Sequence, residues 1–169
     1  MTAPRRPGLF LLLAACCLSL LSGCGFHLRG SDQGGAPLPP IVITGEAGGL
    51  QGELRARVRA ASGEVVATAA EAQWVVRVLG ERSERRVLSV GSTGKVEEYE
   101  IYYAADFTIE DTQGQVRVGP ETLSQVRSYG FSESDVLGKD AEQETLVKDM
   151  RREAAWQIVQ RLRSLTSPP

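Results

Sequence analysis

The residue with the most distinctive predicted chemistry is Cys24, which follows an apolar run over residues 9–21. The run comes after Arg5 and Arg6, has the length of a signal-peptide core and is too short to span a bilayer as a stable helix. The sequence Leu21-Ser22-Gly23-Cys24 is typical of a bacterial lipobox. We therefore expect cleavage before Cys24 and lipid modification of its thiol and new amino group. The alternative is an ordinary secretory signal that ends near a cysteine.

The expected modification is an S-diacylglycerol and an N-acyl chain on Cys24, and we expect no other cofactor. Two or more acyl chains hold a protein stably at a membrane, at about 0.8 kcal/mol for each buried methylene. An aspartate directly after the lipidated cysteine usually retains a lipoprotein in the inner membrane. Here that position is Gly25, which favours the outer membrane. Cys16 and Cys17 leave with the signal peptide. The mature chain would then have no disulfide and must be held by its core.

The remaining polar residues do not predict an enzyme or a metal site. His27 is the single histidine and lies three residues beyond the predicted anchor, where it lacks partners to orient it. Glu98 and Glu100 share a strand face, as alternation alone predicts. No serine has the context of a nucleophile elbow, and no glycine loop is followed by a phosphate-binding lysine. We therefore expect no catalytic residues.

Composition indicates one globular domain with an acidic balance. The chain has 19 Lys and Arg against 21 Asp and Glu, and cleavage removes Arg5 and Arg6 from the basic side. Residues 24–169 have the length of one ordinary domain. An acidic balance excludes a general nucleic-acid footprint. We expect a signal peptide over residues 1–23, a lipidated tether over 24–40 and a folded domain over 41–169.

Hydrophobic periodicity predicts a strand, a helix, at least three strands and a final helix. A short strand covers residues 41–44, and a helix with an apolar stripe lies within residues 49–63. Period-two alternation follows over residues 74–90 and 98–109, and a further strand is broken near Pro120. The last strand would place three apolar side chains on one side: Leu123, Tyr129 and Phe131.

The final helix is predicted over about residues 140–165, with Trp156 opposite its apolar stripe. That stripe comprises Leu146, Val147, Met150, Ala154, Ile158, Leu162 and Leu165. Trp156 would be either an exposed patch or a partner contact. These elements predict an α+β two-layer sandwich, with two amphipathic helices packed on one face of a four-stranded, mainly antiparallel sheet. The other sheet face would meet water or a polar partner.

Three segments together resemble the LptE family of lipopolysaccharide-assembly lipoproteins. The first is Cys24-Gly25-Phe26-His27-Leu28-Arg29-Gly30, and the second is Glu98-Tyr99-Glu100. The third spans residues 139–150, Lys-Asp-Ala-Glu-Gln-Glu-Thr-Leu-Val-Lys-Asp-Met. The resemblance implies an outer-membrane lipoprotein in a one-to-one complex with the LptD barrel. It would plug that barrel and assist lipopolysaccharide insertion into the outer leaflet.

The resemblance also implies direct binding of lipopolysaccharide, whose phosphates require cations. Lys139 matches the family's Lys-Asp pattern, and Lys95 lies beside the turn over residues 91–94. That turn carries Ser92 and no arginine, so Arg85 and Arg86 are candidate substitutes. Two other function classes remain as alternatives: a stand-alone lipid- or lipopolysaccharide-binding periplasmic lipoprotein, and an envelope hydrolase, which the missing catalytic cluster disfavours.

Overall fold

The computed structural model describes residues 37–46, 48–132 and 136–166. Cys24, His27 and nearly all of the predicted tether lie outside the described residues. Six elements follow in chain order: β1 (Ile41–Gly45), α1 (Gly49–Ala60), β2 (Trp74–Val90), β3 (Val96–Asp111), β4 (Val116–Gly130) and α2 (Val136–Thr166). No helix in the described part of the chain is both long and apolar enough to cross a membrane.

The sheet has the spatial order β1-β2-β3-β4, and the helices cover one of its faces. β1 pairs with β2 in parallel through the crossover that contains α1. The pairs β2–β3 and β3–β4 are antiparallel. Side chains of both helices join one apolar core with the inward residues of the sheet, of which Tyr103 and Phe107 are the largest fully buried side chains. The predicted α+β sandwich is confirmed.

Both helices turn the predicted stripes to the core, although Leu146 and Leu165 at the ends of the second stripe are only partly buried. In α1, Leu50, Leu54 and Val58 are fully buried. The basic residues of its last turn interact favourably with the negative end of the helix dipole. In α2, the buried residues run along one side from Val147 to Leu162. The helix begins at Val136, so the predicted start near Asp140 is about one turn late.

A β-bulge in β2 changes which residues face the helices. Val78 pairs with Phe107 and Gly80 pairs with Asp106, so Leu79 is an extra residue without a direct partner. Inward positions are even-numbered before the bulge and odd-numbered from Glu81 to Val87, beyond which the register shifts again. Glu81 and Arg85 therefore point to the helix side, which simple continuation of the alternation does not predict.

The strand β4 continues through Pro120, where the sequence predicts a break. The ladder is irregular there: Glu121 pairs with Phe107 and Val118 pairs with Ile109. Gly119 lies between them with φ +91, a backbone conformation that favours glycine, and its peptide bond to Pro120 is cis. Phe131 lies just beyond β4, with its ring edge-on to Tyr99 at 5.0 Å between centroids.

Candidate functional site

The bulge places Arg85 on the helix side of the sheet, where three groups hold its guanidinium. Its Nη1 donates to Gln143 Oε1 at 3.0 Å and lies 4.0 Å from Asp140 Oδ1. The guanidinium carbon stands 4.5 Å from the centroid of the Tyr99 ring, within the range of a cation–π contact. Arg85 is thus a positioned cation, with its side chain still partly exposed to solvent.

Gln143 connects this arginine to β4. The Tyr129 hydroxyl donates to the same Gln143 Oε1 at 3.0 Å. Hydrogen bonding to Tyr129, with a smaller electrostatic contribution from the Asp140 carboxylate, raises the pKa of Arg85. Sequence reasoning does not single out Gln143, although its place in the 139–150 motif is the signal that could identify it.

Lys139 lies in the first turn of α2, whereas the predicted helix start near residue 140 would place it just before the helix. Its Nζ is 2.8 Å from Glu142 Oε2, and its side chain is 24% exposed. Lys139 is next to Asp140 in the helix, and Asp140 is the acidic neighbour of Arg85. The structure therefore brings Lys139 and Arg85 to the same end of the sandwich, on its helix side.

The other two predicted cations are placed elsewhere. Arg86 points to the uncovered sheet face, where its Nη2 is 2.8 Å from Glu84 Oε2 and its guanidinium stands over Tyr102. Lys95 is exposed at the end of the β2–β3 turn, where its carbonyl accepts the N–H of Gly91 at 2.8 Å. Val90 is five positions beyond Arg85, or about 17 Å along β2. The four residues therefore do not form one cluster.

A groove of about 570 Å³ lies beside Arg85, between the start of α1 and the first half of α2. Gln143 belongs to both the groove and the Arg85 contact, so the two are continuous. The groove is lined by Gly49, Glu53, Ser83, Gln143, Glu144, Val147, Lys148 and Arg151. Its charged groups have both signs, so it suits a polar ligand better than a purely apolar one.

Trp156 lies on the outward side of α2, as its position opposite the stripe predicts. It is half-buried and lines a second groove of about 430 Å³. Three arginines line the same groove, Arg57, Arg127 and Arg152, together with Asp149 and Glu153. Whether Trp156 contacts a partner stays a prediction.

The fold and these surfaces define a class of protein: a small α+β sandwich with a positioned cation and two open, charged grooves. A family model described as LptE, lipopolysaccharide-assembly, matches residues 41–162, which is most of the described domain. The chain belongs to the LptE family, and it is a lipoprotein involved in lipopolysaccharide assembly.

Relatives and solved structures agree with this assignment. The LPS-assembly lipoprotein LptE of Pectobacterium atrosepticum is 29% identical over 164 residues, covering 93% of this chain and 86% of that protein. The protein of the same name in Photorhabdus laumondii is 27% identical over 159 residues, with the same two coverages.

Two solved lipoproteins share the fold. Uncharacterized lipoprotein B of Nitrosomonas europaea has a TM-score of 0.67 and 28% identity, covering 84% of this chain and 90% of that one. The rare lipoprotein B of Shewanella oneidensis has a TM-score of 0.65 and 30% identity, covering 75% of this chain and 95% of that one.

Proposed function

We propose that this protein is a non-enzymatic outer-membrane lipoprotein that forms a one-to-one complex with an LptD-type β-barrel. It plugs that barrel and assists the transport and insertion of lipopolysaccharide into the outer leaflet. Lipid on Cys24 anchors it at the inner leaflet, and residues 24–40 lead from the anchor to the folded domain. The observation that carries this proposal is membership of the lipopolysaccharide-assembly family over residues 41–162.

The uncovered sheet face supports a position inside a barrel. Two of its ion pairs join neighbouring strands: Arg77 Nε is 3.0 Å from Glu110 Oε1, and Arg82 Nη1 is 2.6 Å from Asp106 Oδ2. The interior of a large outer-membrane barrel is polar. A polar, ion-paired face can approach such a wall without burying unpaired charge, whereas burial of an unpaired charge is costly.

Lipopolysaccharide binding by this domain is proposed at Arg85 and Lys139. Arg85 of β2 is close to Asp140, and Lys139 pairs with Glu142. A bound phosphate would therefore compete with these two carboxylates of α2 for the cations. A guanidinium such as that of Arg85 can form paired hydrogen bonds with phosphate oxygens. Lys95 and Arg86 remain lower-ranked candidates because they lie apart from this pair.

Affinity isolation of the full-length lipidated chain from detergent-solubilised outer membranes tests the proposal. We expect a large barrel protein to co-purify in equimolar amount and to stay associated through size-exclusion chromatography. Recovery of the chain as a free monomer would contradict the complex and favour a stand-alone lipid-binding lipoprotein. Cys24→Ala tests the anchor separately: it should abolish incorporation of labelled fatty acid into the chain while leaving the barrel-binding surface of the folded domain unchanged.

A further inference from the structure

Large exposed aliphatic side chains concentrate at one end of the described domain. Val87, Leu88 and Val90 end β2, and Val136 and Leu137 begin α2. We call these five residues the apolar tip. Leu137 is 86% exposed and Leu88 is 48% exposed. The other large exposed aliphatic residues of the described part, Leu79, Val116 and Val126, are distributed over β2 and β4.

Two contacts show that the members of the apolar tip lie at the same level of the sandwich. Arg151 of α2 pairs with Glu81 of β2, and Gln143 accepts a hydrogen bond from Arg85. Arg151 is eight positions from Gln143 along the helix, about 12 Å, and Glu81 is four positions from Arg85 along the strand, about 13 Å. The helix therefore runs alongside β2 in the opposite direction. Its first turn extends about 10 Å beyond Gln143, to the level of Leu88.

The tip is apolar at a place where the surface also carries positive charge. Arg85 is held just below it, Lys139 lies within two residues of Leu137, and Lys95 ends the adjoining turn. Clustered exposed aliphatic groups mark an interaction site. Aliphatic groups beside cations complement a ligand that has both hydrocarbon chains and negative charge. An acidic protein segment would satisfy the cations but would not need five exposed aliphatic side chains at the same end of the domain.

We propose that the apolar tip binds acyl chains of lipopolysaccharide while Arg85 and Lys139 face its phosphates. This inference rests on the proposed function and adds to it that the site recognises the hydrocarbon part of the ligand. Each aliphatic side chain contributes by removing apolar area from water, independently of charge. The contribution should therefore persist at high salt, whereas the phosphate contacts weaken.

Photocrosslinking in growing cells tests whether lipopolysaccharide contacts the apolar tip when the full chain is in its own membrane. A photoreactive phenylalanine derivative is introduced at position 88, at position 137 or at the control position 116. Val116 matches Leu88 in exposure, at 47%, but begins β4. We expect adducts with lipopolysaccharide from positions 88 and 137 and several-fold less from 116. Adducts only with the barrel or with a second copy of the chain, or equal adducts at all three positions, would overturn the proposal.

A binding measurement separates acyl recognition from headgroup recognition. The detergent-solubilised full chain carrying Leu88→Gln and Leu137→Gln is titrated with lipopolysaccharide and with its fully deacylated form. We expect about tenfold weaker binding of the acylated ligand, which corresponds to the burial of roughly one side chain. Binding of the deacylated form should be unchanged, and Val116→Gln should affect neither. Equal weakening for both ligands, or no weakening, would overturn the inference. Barrel recovery from the same variants shows separately whether the proposed complex forms.

Discussion

Glu81 and Arg151 are 70 residues apart in the sequence and form an ion pair between the sheet and α2. The Glu81 carboxylate also accepts the N–H of Leu50 at 3.0 Å, at the start of α1, and the Tyr103 hydroxyl at 3.4 Å. The N-cap Gly48 provides no side-chain cap to α1. Glu81 therefore serves as a remote cap and links β2, β3 and both helices through one carboxylate.

Replacing Glu81 with alanine should destabilise the domain by about 3 kcal/mol, because it breaks a largely buried pair and uncaps α1. The Glu81 side chain is only 9% exposed. Glu84→Ala is the matched control, since it removes an exposed pair with Arg86 and should have a clearly smaller effect. Urea unfolding followed by circular dichroism measures both. Equal effects would contradict the capping role of Glu81.

The sequence predicts the order of elements because their apolar patterns are long and regular. Strand β3 alternates over its whole length, and the stripe of α2 repeats over several turns, so neither element needs a tertiary contact to be identified. The bulge at Leu79 is not predictable in the same way. An extra residue in a strand has no signature in the local amino-acid composition. The bulge is determined by how β2 pairs with β3, which is distant in the sequence. Alternation alone places Arg85 and Arg86 on opposite faces, but without the bulge it would assign Arg86 to the helix side, where the structure instead places Arg85.

That difference predicts unequal roles for the two arginines. Arg85→Gln should weaken lipopolysaccharide binding about tenfold, because a charge-assisted contact to phosphate is worth roughly 1.5–3 kcal/mol. Arg86→Gln makes the same change in net charge on the uncovered face and should have a smaller effect. Titration of the full chain with lipopolysaccharide measures both. Equal weakening would indicate a nonspecific dependence on charge and remove Arg85 from the proposed site.

Lys139→Asp should also weaken lipopolysaccharide binding while leaving barrel recovery unchanged. The substitution reverses the charge beside Arg85 and replaces the pair with Glu142 by a repulsive contact. An acidic side chain is tolerated in the first turn of a helix, so α2 should remain folded. Unchanged lipopolysaccharide binding would exclude Lys139 from the site. Lost barrel recovery would instead place Lys139 in the protein interface.

The loss of folding stability at acidic pH should depend in part on Asp106. Hydrogen bonding by the Thr122 hydroxyl, reinforced by Arg82, lowers the pKa of Asp106. Because the native pKa lies below the unfolded value of about 3.9, the stabilisation is complete above that value. It is lost as the pH falls through the lowered native pKa.

Asp106→Asn should therefore be less stable than the wild type at pH 7, by less than about 1 kcal/mol, since the pair with Arg82 is partly exposed. The difference should narrow as the pH falls below the unfolded pKa of Asp106. Urea unfolding at a series of pH values measures the difference in free energy of unfolding between the two proteins. A difference that does not change with pH would show that ionisation of Asp106 does not stabilise the fold.

Trp156→Ala should reduce recovery of the barrel, because the groove around Trp156 combines an aromatic side chain with several arginines. Trp and Arg dominate the energetics of protein interfaces, and truncation of such a centre costs about 2 kcal/mol or more. That cost corresponds to roughly thirtyfold weaker association. The side chain lies outside the apolar core, so the urea midpoint should change little. Trp156→Phe should retain part of the binding, and full recovery with alanine would refute the contact.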